Sequence, residues 1–400
     1  MTDPSNINAG VARLPAASRQ LRLGIVGGGG GGFIGPVHAI AARMDNRYRL
    51  VAGALSSRPD IARAAGAEWF LPADRSYTDY RDMARAEAAR PDGAEVVAIT
   101  TPNHSHHAIA RAFLDQGIHV ICDKPMTTQL ADALDLRQKV TETGLGFYVT
   151  HGFAAYPMVR QARAMVAAGK LGRIGAMHVE FMGDWLTPSP DEGAMPPAGW
   201  RTDPALSGPG GAIADIGTHA FHLARFVSGQ EVSGLLAQLS RAHPARRLDD
   251  NAHLLLRFEG GATGSLLASQ VSPGNDCELR FRIYGDRGGL EWSQADANHL
   301  WFTETGQETR RIARGGTGTM PAAQHMTRVP RGHPEGYLEA FANLYSEVAL
   351  DLIARIDGIR SDTECLAATI ADGVLGVAFV EAAVASDRLG NIWQDPRALI

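Results

Sequence analysis

Cysteines and long hydrophobic runs are scarce in this sequence, and each shortage excludes a class of protein. The three cysteines, Cys122, Cys277 and Cys365, are odd in number and widely spaced, which indicates reduced thiols rather than a disulfide framework. No segment reaches the roughly 18 uncharged apolar residues that a membrane span needs. The N-terminus also lacks the apolar core of a signal peptide. We therefore predict a cytoplasmic protein that does not enter the membrane.

Positive charge is also in short supply. The formal net charge at pH 7 is −5, and no stretch is polybasic. Proteins that bind nucleic acid or anionic lipid electrostatically concentrate lysine and arginine on one surface. Neither kind of partner is therefore predicted.

The length and the apolar pattern indicate two domains. A hydrophobic fraction of 45% and a charged fraction of 20% are typical of globular proteins, and 400 residues exceed one ordinary core. From Leu21 to about Thr150, apolar runs such as LRLGIVG, EVVAIT and IHVIC alternate with helical stretches. Strands that are apolar on both faces occur in parallel sheets covered by helices. We predict a tail over 1–20 and an α/β, doubly wound Rossmann domain over 21–150.

After residue 150 the pattern changes to hairpins. Runs such as AHLLLRF, ATGSLLASQV and CELRFRIYG are joined by glycine-rich turns, as in antiparallel sheets. A helix is predicted over about 211–228, and two more close the chain. This half is predicted to be an α+β domain over 151–400, built on a large and mainly antiparallel sheet. The segment 314–332 is expected to be a lid or an ordinary loop.

A glycine-rich turn follows the first strand. Glycines between a strand and a helix let the backbone approach a pyrophosphate, whose charge lies against the helix N-terminus. Two registers of G-x-G-x-x-G fit. They are Gly27, Gly29 and Gly32, or Gly30, Gly32 and Gly35, the second making Pro36 the first helical residue. We predict dinucleotide binding by the first register with Phe33 and Ile34; the alternative for a glycine run is a flexible loop.

The type of dinucleotide stays open at this point. NAD enzymes place an acid at the end of the second strand to bind the ribose 2′-hydroxyl. Here the residues are Ser56, Ser57 and Arg58, and hydroxyls with a guanidinium suit the 2′-phosphate of NADP. Arg58 can equally be a solvated side chain. The predicted cofactor is therefore NAD or NADP.

The segment TPNHSHH ends the strand EVVAIT, and strand carboxyl ends in open α/β sheets face the ligand crevice. Thr101, Pro102, Asn103 and His106 are predicted to contact the cofactor, with Asn103 bonding the ribose or the nicotinamide amide. The three histidines of the segment raise a zinc site as the alternative. They lack a nearby cysteine or partnered acid, so no metal is predicted.

The strand IHVIC ends in Asp123, Lys124 and Pro125, which are expected at the same crevice. A lysine beside a cofactor can stabilise the alkoxide charge that develops on a substrate hydroxyl, or move its proton. The alternative for an isolated Lys124 is a surface residue at a strand end. The acid before it is also expected near the cofactor.

A second chemical pattern lies in GPGGAIADIGTHAFH. Asp215 and His219 are four residues apart and share one face of a helix, and His222 follows three residues later. An acid that orients a histidine makes a general-base pair. The alternative is an Asp-His pair on a helix surface with no catalytic task.

Four segments together resemble one protein family. GGGGGGFIGPVH, TPNHSHH, CDKP and GGAIADIGTH look like the glucose-fructose oxidoreductase and inositol dehydrogenase family, written Gfo/Idh/MocA, and the likeness extends from about Leu21 to Asn391. The family's usual tripeptide is Glu-Lys-Pro, so Asp123 is a departure to a shorter acid. The glycine loop is also longer than the family norm.

The resemblance implies a nicotinamide-binding Rossmann domain and a second domain whose sheet often forms the oligomer interface, so a homodimer or homotetramer is expected. It implies a catalytic set of Lys124, Asp215 and His219. In this set His219 removes the hydroxyl proton as hydride leaves the same carbon, and the other two position and polarise the hydroxyl. RRLDDNAHLLLRF and GHPEGYLEAF look most like sugar dehydrogenases of the levoglucosan type, which oxidise C3 with NAD. This narrower likeness favours NAD.

Aromatic and polar residues near predicted strand ends or in the proline-rich loop over 185–210 are candidates for a sugar pocket. Aromatic rings pack on sugar C–H faces and charged groups bind hydroxyls. The candidates are His151, Tyr156, Asp184, Trp185, Trp200, Arg201, His222 and His333. The alternative for the tryptophans and the tyrosine is a core or loop anchor.

Three functions follow from these patterns. The first is an NAD(P)-dependent dehydrogenase for a secondary ring hydroxyl, at C3, of a sugar, anhydrosugar, glycoside or cyclitol. The second is an enzyme of the same fold that retains its cofactor, oxidises C3 transiently and cleaves a glycosidic bond by elimination. The third is a non-catalytic sugar-sensing regulator, which has no need of the intact proton-transfer set. We predict the first.

Overall fold

The computed structural model describes residues 10–12, 14–188, 199–361 and 363–400, so part of the predicted tail and part of the proline-rich loop lie outside the described residues. The strands are β1 (Leu21–Val26), β2 (Tyr48–Ala54), β3 (Val96–Ile99), β4 (His119–Cys122), β5 (Phe147–Val149), β6 (Ile174–Gly183), β7 (Val232–Ser240), β8 (Asn251–Phe258), β9 (Thr263–Ser269), β10 (Cys277–Gly285), β11 (Gly288–Ser293), β12 (His299–Glu304) and β13 (Arg310–Ala313). The α-helices are α1 (Ile34–Met44), α2 (Pro59–Glu68), α3 (Tyr80–Ala88), α4 (His106–Leu114), α5 (Leu130–Thr143), α6 (Pro157–Ala167), α7 (Pro204–Ser207), α8 (Thr218–Ser228), α9 (Pro321–Gln324), α10 (Tyr337–Asp357) and α11 (Ile370–Arg388). Among these residues, no helix has both the length and the apolar character that crossing a membrane requires.

The chain forms two compact units. The parallel-sheet unit contains Leu14–Gly152 and Tyr337–Val374, and the mixed-sheet unit contains Phe153–Gly336 and Leu375–Ile400 with the N-terminal residues. The chain first leaves the parallel-sheet unit after Gly152, close to the predicted boundary at residue 150. Both units are discontinuous in sequence, whereas the predicted domains are contiguous, and that division stays a prediction.

The five-stranded sheet has the order β2-β1-β3-β4-β5, and all neighbours are parallel. Every residue of β3 and β4 is buried, which explains why these runs are apolar without alternation. The strand order reverses between β1 and β3. In open α/β sheets, ligands bind beside the carboxyl ends of the strands at such a reversal. The predicted doubly wound fold is confirmed.

Helix α10 completes the parallel-sheet unit by packing on its N-terminal part. Tyr345 on α10 is 1% exposed, and its ring meets Tyr48 of β2 edge to face at 5.2 Å. The Tyr48 hydroxyl donates to the Tyr345 carbonyl oxygen at 2.9 Å. A segment more than 280 residues downstream of β2 therefore supplies part of this unit's core.

The eight-stranded sheet has the order β13-β12-β11-β10-β6-β9-β8-β7. All pairs are antiparallel except β6 with β9, so the predicted, mainly antiparallel sheet is confirmed. Residues alternate between buried and accessible along β8, as expected for a sheet with one face on the core. Phe221 of α8 stacks on Phe379 of α11 at 4.1 Å within this core.

A buried ion pair anchors the segment predicted as a lid or a loop. Arg314 is 3% exposed, and its guanidinium donates to the Glu335 carboxylate at 2.7 Å and to the Val329 carbonyl at 2.7 Å. The Glu335 carboxylate also accepts the backbone N–H of Arg328 at 2.7 Å. These bonds join the two ends of the segment. Whether it acts as a lid stays a prediction.

Candidate functional site

The turn after β1 is shaped by close backbone approaches. Gly27 has φ +93° and Gly28 φ +88°, values that side chains rarely allow. A Cβ added at Gly27 would lie 2.9 Å from Thr101 Cγ2, and one at Gly29 would lie 2.7 Å from the Leu55 carbonyl oxygen. The ends of β1, β2 and β3 therefore meet around this turn.

The structure combines the two predicted glycine registers. A Cβ at Gly35 would lie 2.3 Å from the Gly28 Cα, so the close helix packing occurs at Gly35. The nearest atom to a Cβ at Gly32 is 3.8 Å away, which leaves ordinary space. Helix α1 begins at Ile34, so Pro36 is its third residue and not the first, as the alternative register would have placed it. A turn of exposed, side-chain-free backbone before a helix N-terminus fits the pyrophosphate of a dinucleotide.

The residues predicted to contact the adenosine ribose or flank the turn lie at its edge. The Arg58 guanidinium pairs with Asp60 of α2 at 2.9 Å, and the Ser56 hydroxyl accepts the Arg58 backbone N–H at 3.1 Å. Ser57 is exposed beside them. Phe33 is 71% exposed, and its ring lies 6.2 Å from that of Tyr337 in the same unit. Asp60 therefore neutralises the positive charge of Arg58, which the 2′-phosphate of NADP would need as its partner.

The loop after β3 is linked to the turn after β4 by His106. This ring has no exposed surface, and its two nitrogens lie 2.7 Å from the Thr101 carbonyl oxygen and 3.0 Å from that of Pro125. Burial lowers the pKa of His106. Pro102 and Asn103 are half-buried at the same strand end. The geometry favours a role for His106 in holding two strand ends, and the cofactor contacts predicted for this segment stay predictions.

Asp123 and Lys124 are half-buried at the end of β4, and the Lys124–Pro125 peptide bond is cis. The Asp123 carboxylate accepts the Thr150 hydroxyl at 2.6 Å, and His38 Nε2 lies 3.8 Å from the same oxygen. Burial by itself raises the pKa of Asp123, but His38, Lys124 and the Thr150 hydroxyl outweigh it and hold that pKa well below its usual range. Asp123 is therefore ionised beside the predicted catalytic lysine.

Asp215 and His219 belong to one helical segment with an irregular start. The predicted helix begins as a π-helical turn, Ile213–Gly217, which carries Asp215 and continues into α8, whose second residue is His219. Single π-helical turns often occur at functional sites. The Asp249 carboxylate accepts the N–H groups of Gly211 at 2.6 Å and Ile213 at 2.8 Å, which satisfies amides at the start of the segment. Sequence reasoning missed this cap, because nothing local connects the two segments.

Gln270 holds the Asp215 side chain. Its amide nitrogen donates to Asp215 Oδ2 at 2.8 Å, and Gln270 is only 2% exposed. It directly follows β9. Sequence reasoning also missed this residue, although a buried polar side chain at a strand end is the kind of signal that indicates a site.

Aromatic side chains surround His219. The Phe153 ring meets the imidazole edge to face at 4.8 Å, and the Phe181 ring lies 6.0 Å away. Tyr156 is 3% exposed and packs between Phe153 and Trp292, at 6.2 Å and 5.4 Å. Phe153 therefore contacts both Tyr156 and His219. The burial of Tyr156 favours the alternative that it anchors the core rather than binds a sugar.

His222 has different surroundings from His219. It is 5% exposed and stacks on Phe226 at 5.8 Å. Burial, and then the charges of Arg225 and two further arginines, lower the pKa of His222 to about 3. The imidazole is therefore neutral near pH 7 and packs among cations.

The other pocket candidates belong partly to one unit and partly to the other. His151 is buried after β5 in the parallel-sheet unit, whereas Asp184 and Trp185 are half-buried after β6 in the mixed-sheet unit. The guanidinium of Arg201 lies 4.6 Å from the centre of the Trp200 ring. His333 is exposed, and its carbonyl oxygen accepts the Arg314 guanidinium. In the part of the chain that the structure describes, no group of three or more histidine, cysteine or acidic side chains has a metal-binding arrangement.

Comparison with known proteins follows the same division of the chain. Residues 21–151 match an oxidoreductase family with an NAD-binding Rossmann fold, and residues 159–291 match the GFO/IDH/MocA C-terminal domain. The uncharacterised oxidoreductase YfiI of Bacillus subtilis (strain 168) is 31% identical over 94% of this chain and 97% of its own length. Levoglucosan dehydrogenase of Pseudarthrobacter phenanthrenivorans is 29% identical over 70% of this chain and 76% of its own. An inositol dehydrogenase homologue from Azotobacter vinelandii, solved with NADH and myo-inositol, is 35% identical with a TM-score of 0.87, covering 96% of this chain and 99% of that one.

Proposed function

Because the chain belongs to the GFO/IDH/MocA oxidoreductase family, with an NAD-binding Rossmann fold, we propose that it oxidises a secondary ring hydroxyl of a sugar, anhydrosugar, glycoside or cyclitol. For a sugar ring, C3 is the carbon we propose. One relative is named for levoglucosan, and another was solved with myo-inositol and NADH. Both molecules are rings that carry several secondary hydroxyls, which supports this substrate class.

One observation carries the proposal. Asp215, held by Gln270 at 2.8 Å, stands one helical turn before the buried imidazole of His219. A fixed carboxylate and a histidine on one segment suit the removal of a proton from a hydroxyl. A sugar-binding regulator has no need of this pair.

A bound NAD⁺ would supply the acceptor for the hydride that leaves the carbon carrying the hydroxyl. His219 takes the hydroxyl proton, so that the C–H and O–H bonds break as the C=O bond forms. Asp215 orients the hydroxyl, and the Lys124 ammonium stabilises negative charge on its oxygen. The turn at Gly27 and Gly29 and the strand ends beside it would hold the cofactor.

The test is a panel of sugars, glycosides, levoglucosan and inositols, followed at 340 nm with NAD⁺ and with NADP⁺ in turn. We expect stoichiometric NADH with at least one ring substrate. An enzyme that retains its cofactor and eliminates a glycoside would consume substrate without net absorbance change. Absence of turnover across the panel would contradict the proposal and favour a sensor.

Substitutions at the proposed catalytic residues test their roles. We expect His219→Asn and Lys124→Met to lower kcat by about 10²- to 10⁴-fold, the usual contribution of acid-base groups, with the Kd for NAD⁺ unchanged. His178→Asn and Lys139→Met are matched controls, since His178 bonds Ser265 on the sheet and Lys139 is ion-paired on α5. Near-normal turnover in His219→Asn or in Lys124→Met would show that the role assigned to that residue is wrong.

A further inference from the structure

A chain of buried polar groups lies behind the Asp-Lys-Pro turn of the parallel-sheet unit. His38 on α1 has no exposed surface, and Tyr345 on α10 is 1% exposed. His38 Nδ1 lies 2.8 Å from the Tyr345 hydroxyl, and its Nε2 lies 3.8 Å from Asp123 Oδ1. Three distant stretches of the sequence therefore meet directly behind Lys124.

The geometry favours one of the two nitrogens of His38 as the site of the proton. Burial raises the pKa of Tyr345 well above its usual value, so the phenol keeps its hydrogen and can donate it to Nδ1. A neutral imidazole that accepts at Nδ1 carries its own hydrogen on Nε2, and an imidazolium carries one there as well. In both states an N–H group faces the Asp123 carboxylate. The opposite tautomer would direct a lone pair at a negative charge.

Asp123 accepts a hydrogen bond from another side and lies among further titratable groups. The Thr150 hydroxyl donates to the same oxygen at 2.6 Å. Further titratable groups that interact with the carboxylate are Lys124 and Cys122 on its own strand end, His106 of α4 and Tyr345 of α10. A carboxylate held from two sides directly before Lys124 provides a fixed negative charge next to the ammonium.

We propose that His38 is a positioning residue for Lys124, which acts by holding the Asp123 carboxylate through its Nε2–H group. Tyr345 sets the tautomer, and Thr150 completes the support. The inference rests on the proposed dehydrogenase for its kinetic test. The proposal also explains why residue 123 is an aspartate here. A glutamate at this position would carry its carboxylate one methylene beyond the place where His38 and Thr150 contact it.

Two substitutions of His38 separate its two nitrogens. In His38→Gln the amide nitrogen can reach the position of Nε2, whereas in His38→Asn it reaches only that of Nδ1. We expect His38→Asn to lower kcat by about 10- to 100-fold, the range for a misplaced catalytic group, while the Kd for NAD⁺ is unchanged. His38→Gln should retain most of kcat. Equal losses in the two variants, or none in either, would overturn the proposal.

A matched control for His38 lies on β4, the strand that Asp123 follows. His119 is a buried histidine at the opposite end of β4, where its Nδ1 accepts the Gly146 N–H at 2.8 Å. We expect His119→Asn to lower stability without changing kcat. If His38→Asn does not fold, Tyr345→Phe removes only the hydroxyl that sets the tautomer, and we expect a smaller loss of kcat. Wild-type kcat in Tyr345→Phe would then count against the proposal.

A measurement without substrate keeps this inference separate from the proposed function. In protein labelled with ¹⁵N-histidine, the His38 signals are assigned by their loss in His38→Gln. We expect Nε2 to be protonated throughout pH 6–9, and a neutral imidazole protonated on Nδ1 would overturn the network. If no sugar is oxidised at all, the proposed function fails. The tautomer measurement still tests whether the Nε2–H group of His38 faces the Asp123 carboxylate.

Discussion

Asp249 allows a quantitative prediction for the segment that carries His219. Its carboxylate is 8% exposed and accepts two backbone N–H groups, from Gly211 and Ile213. Burial outweighs these bonds and raises the pKa of Asp249 to about 6. The unfolded chain has the ordinary aspartate value of about 3.9. Asp249 therefore contributes stability that is fully present below pH 3.9 and is lost as the pH rises through 6.

The size of the effect follows from linkage. A pKa of about 6 in the folded chain against about 3.9 in the unfolded chain corresponds to about 3 kcal/mol of stability between acid and neutral pH. Between pH 5 and pH 8 the part that remains to be lost is about 1.4 kcal/mol. Asp249→Asn removes the titration and retains one acceptor oxygen, so it changes stability by an offset that does not depend on pH. The wild type should therefore lose about 1.4 kcal/mol relative to Asp249→Asn across this interval.

The assay is urea unfolding of both proteins at pH 5 and pH 8, followed by tryptophan fluorescence. Five of the six tryptophans belong to the mixed-sheet unit, so its transition dominates the signal. Other titrating groups are common to both proteins and cancel in the difference. A free-energy difference that is equal at the two pH values would refute the reasoning, since Asp249 would then titrate alike in the folded and unfolded chains.

Two further predictions concern the dinucleotide site. In Gly35→Ala a Cβ would lie 2.3 Å from the Gly28 Cα, so we expect a loss of about 1–3 kcal/mol of stability and weaker NAD⁺ binding by calorimetry. Gly376→Ala is the control, because its Cβ meets no atom within 4 Å; equal NAD⁺ binding in both variants would contradict the prediction. Asp60→Ala releases Arg58 from its 2.9 Å pair, and we expect NADP⁺ to gain affinity relative to NAD⁺ in a fluorescence titration. An unchanged ratio of the two affinities would show that this pair does not set the cofactor preference.

The parts predicted well from the sequence are those with a local signal. Uninterrupted apolar runs predicted the parallel strands, because both faces of that sheet are covered. Hairpin turns predicted the antiparallel strands. The glycine turn follows the first strand as predicted, but two registers fit its spacing, and the contact between Gly35 and Gly28 is visible only in the folded chain.

The parts that were missed depend on contacts between distant segments. Residues 337–374 join the parallel-sheet unit because Tyr345 packs on Tyr48, and the sequence of α10 does not encode that choice of partner. Gln270 and Asp249 support the segment of His219 from separate loops. His38 was visible only as the end of the glycine motif, and its relation to Asp123 required the fold.

Lys124 directly follows the half-buried Asp123, and His219 lies in a segment whose start is held by the buried Asp249 carboxylate. These two carboxylates respond differently to acid. Asp123 lies beside an ammonium and an imidazole, so its pKa is lowered, whereas the donors to Asp249 in the described part of the chain are backbone amides, and burial raises its pKa to about 6. As the pH falls from 7 to 5, Asp249 gains a proton first. This protonation relieves the desolvation of the carboxylate and stabilises the folded unit, but it also weakens the bonds that hold the π-helical turn before His219. Stability and kcat should therefore change in opposite directions over this interval, through the mixed-sheet unit, while the support of Lys124 stays intact.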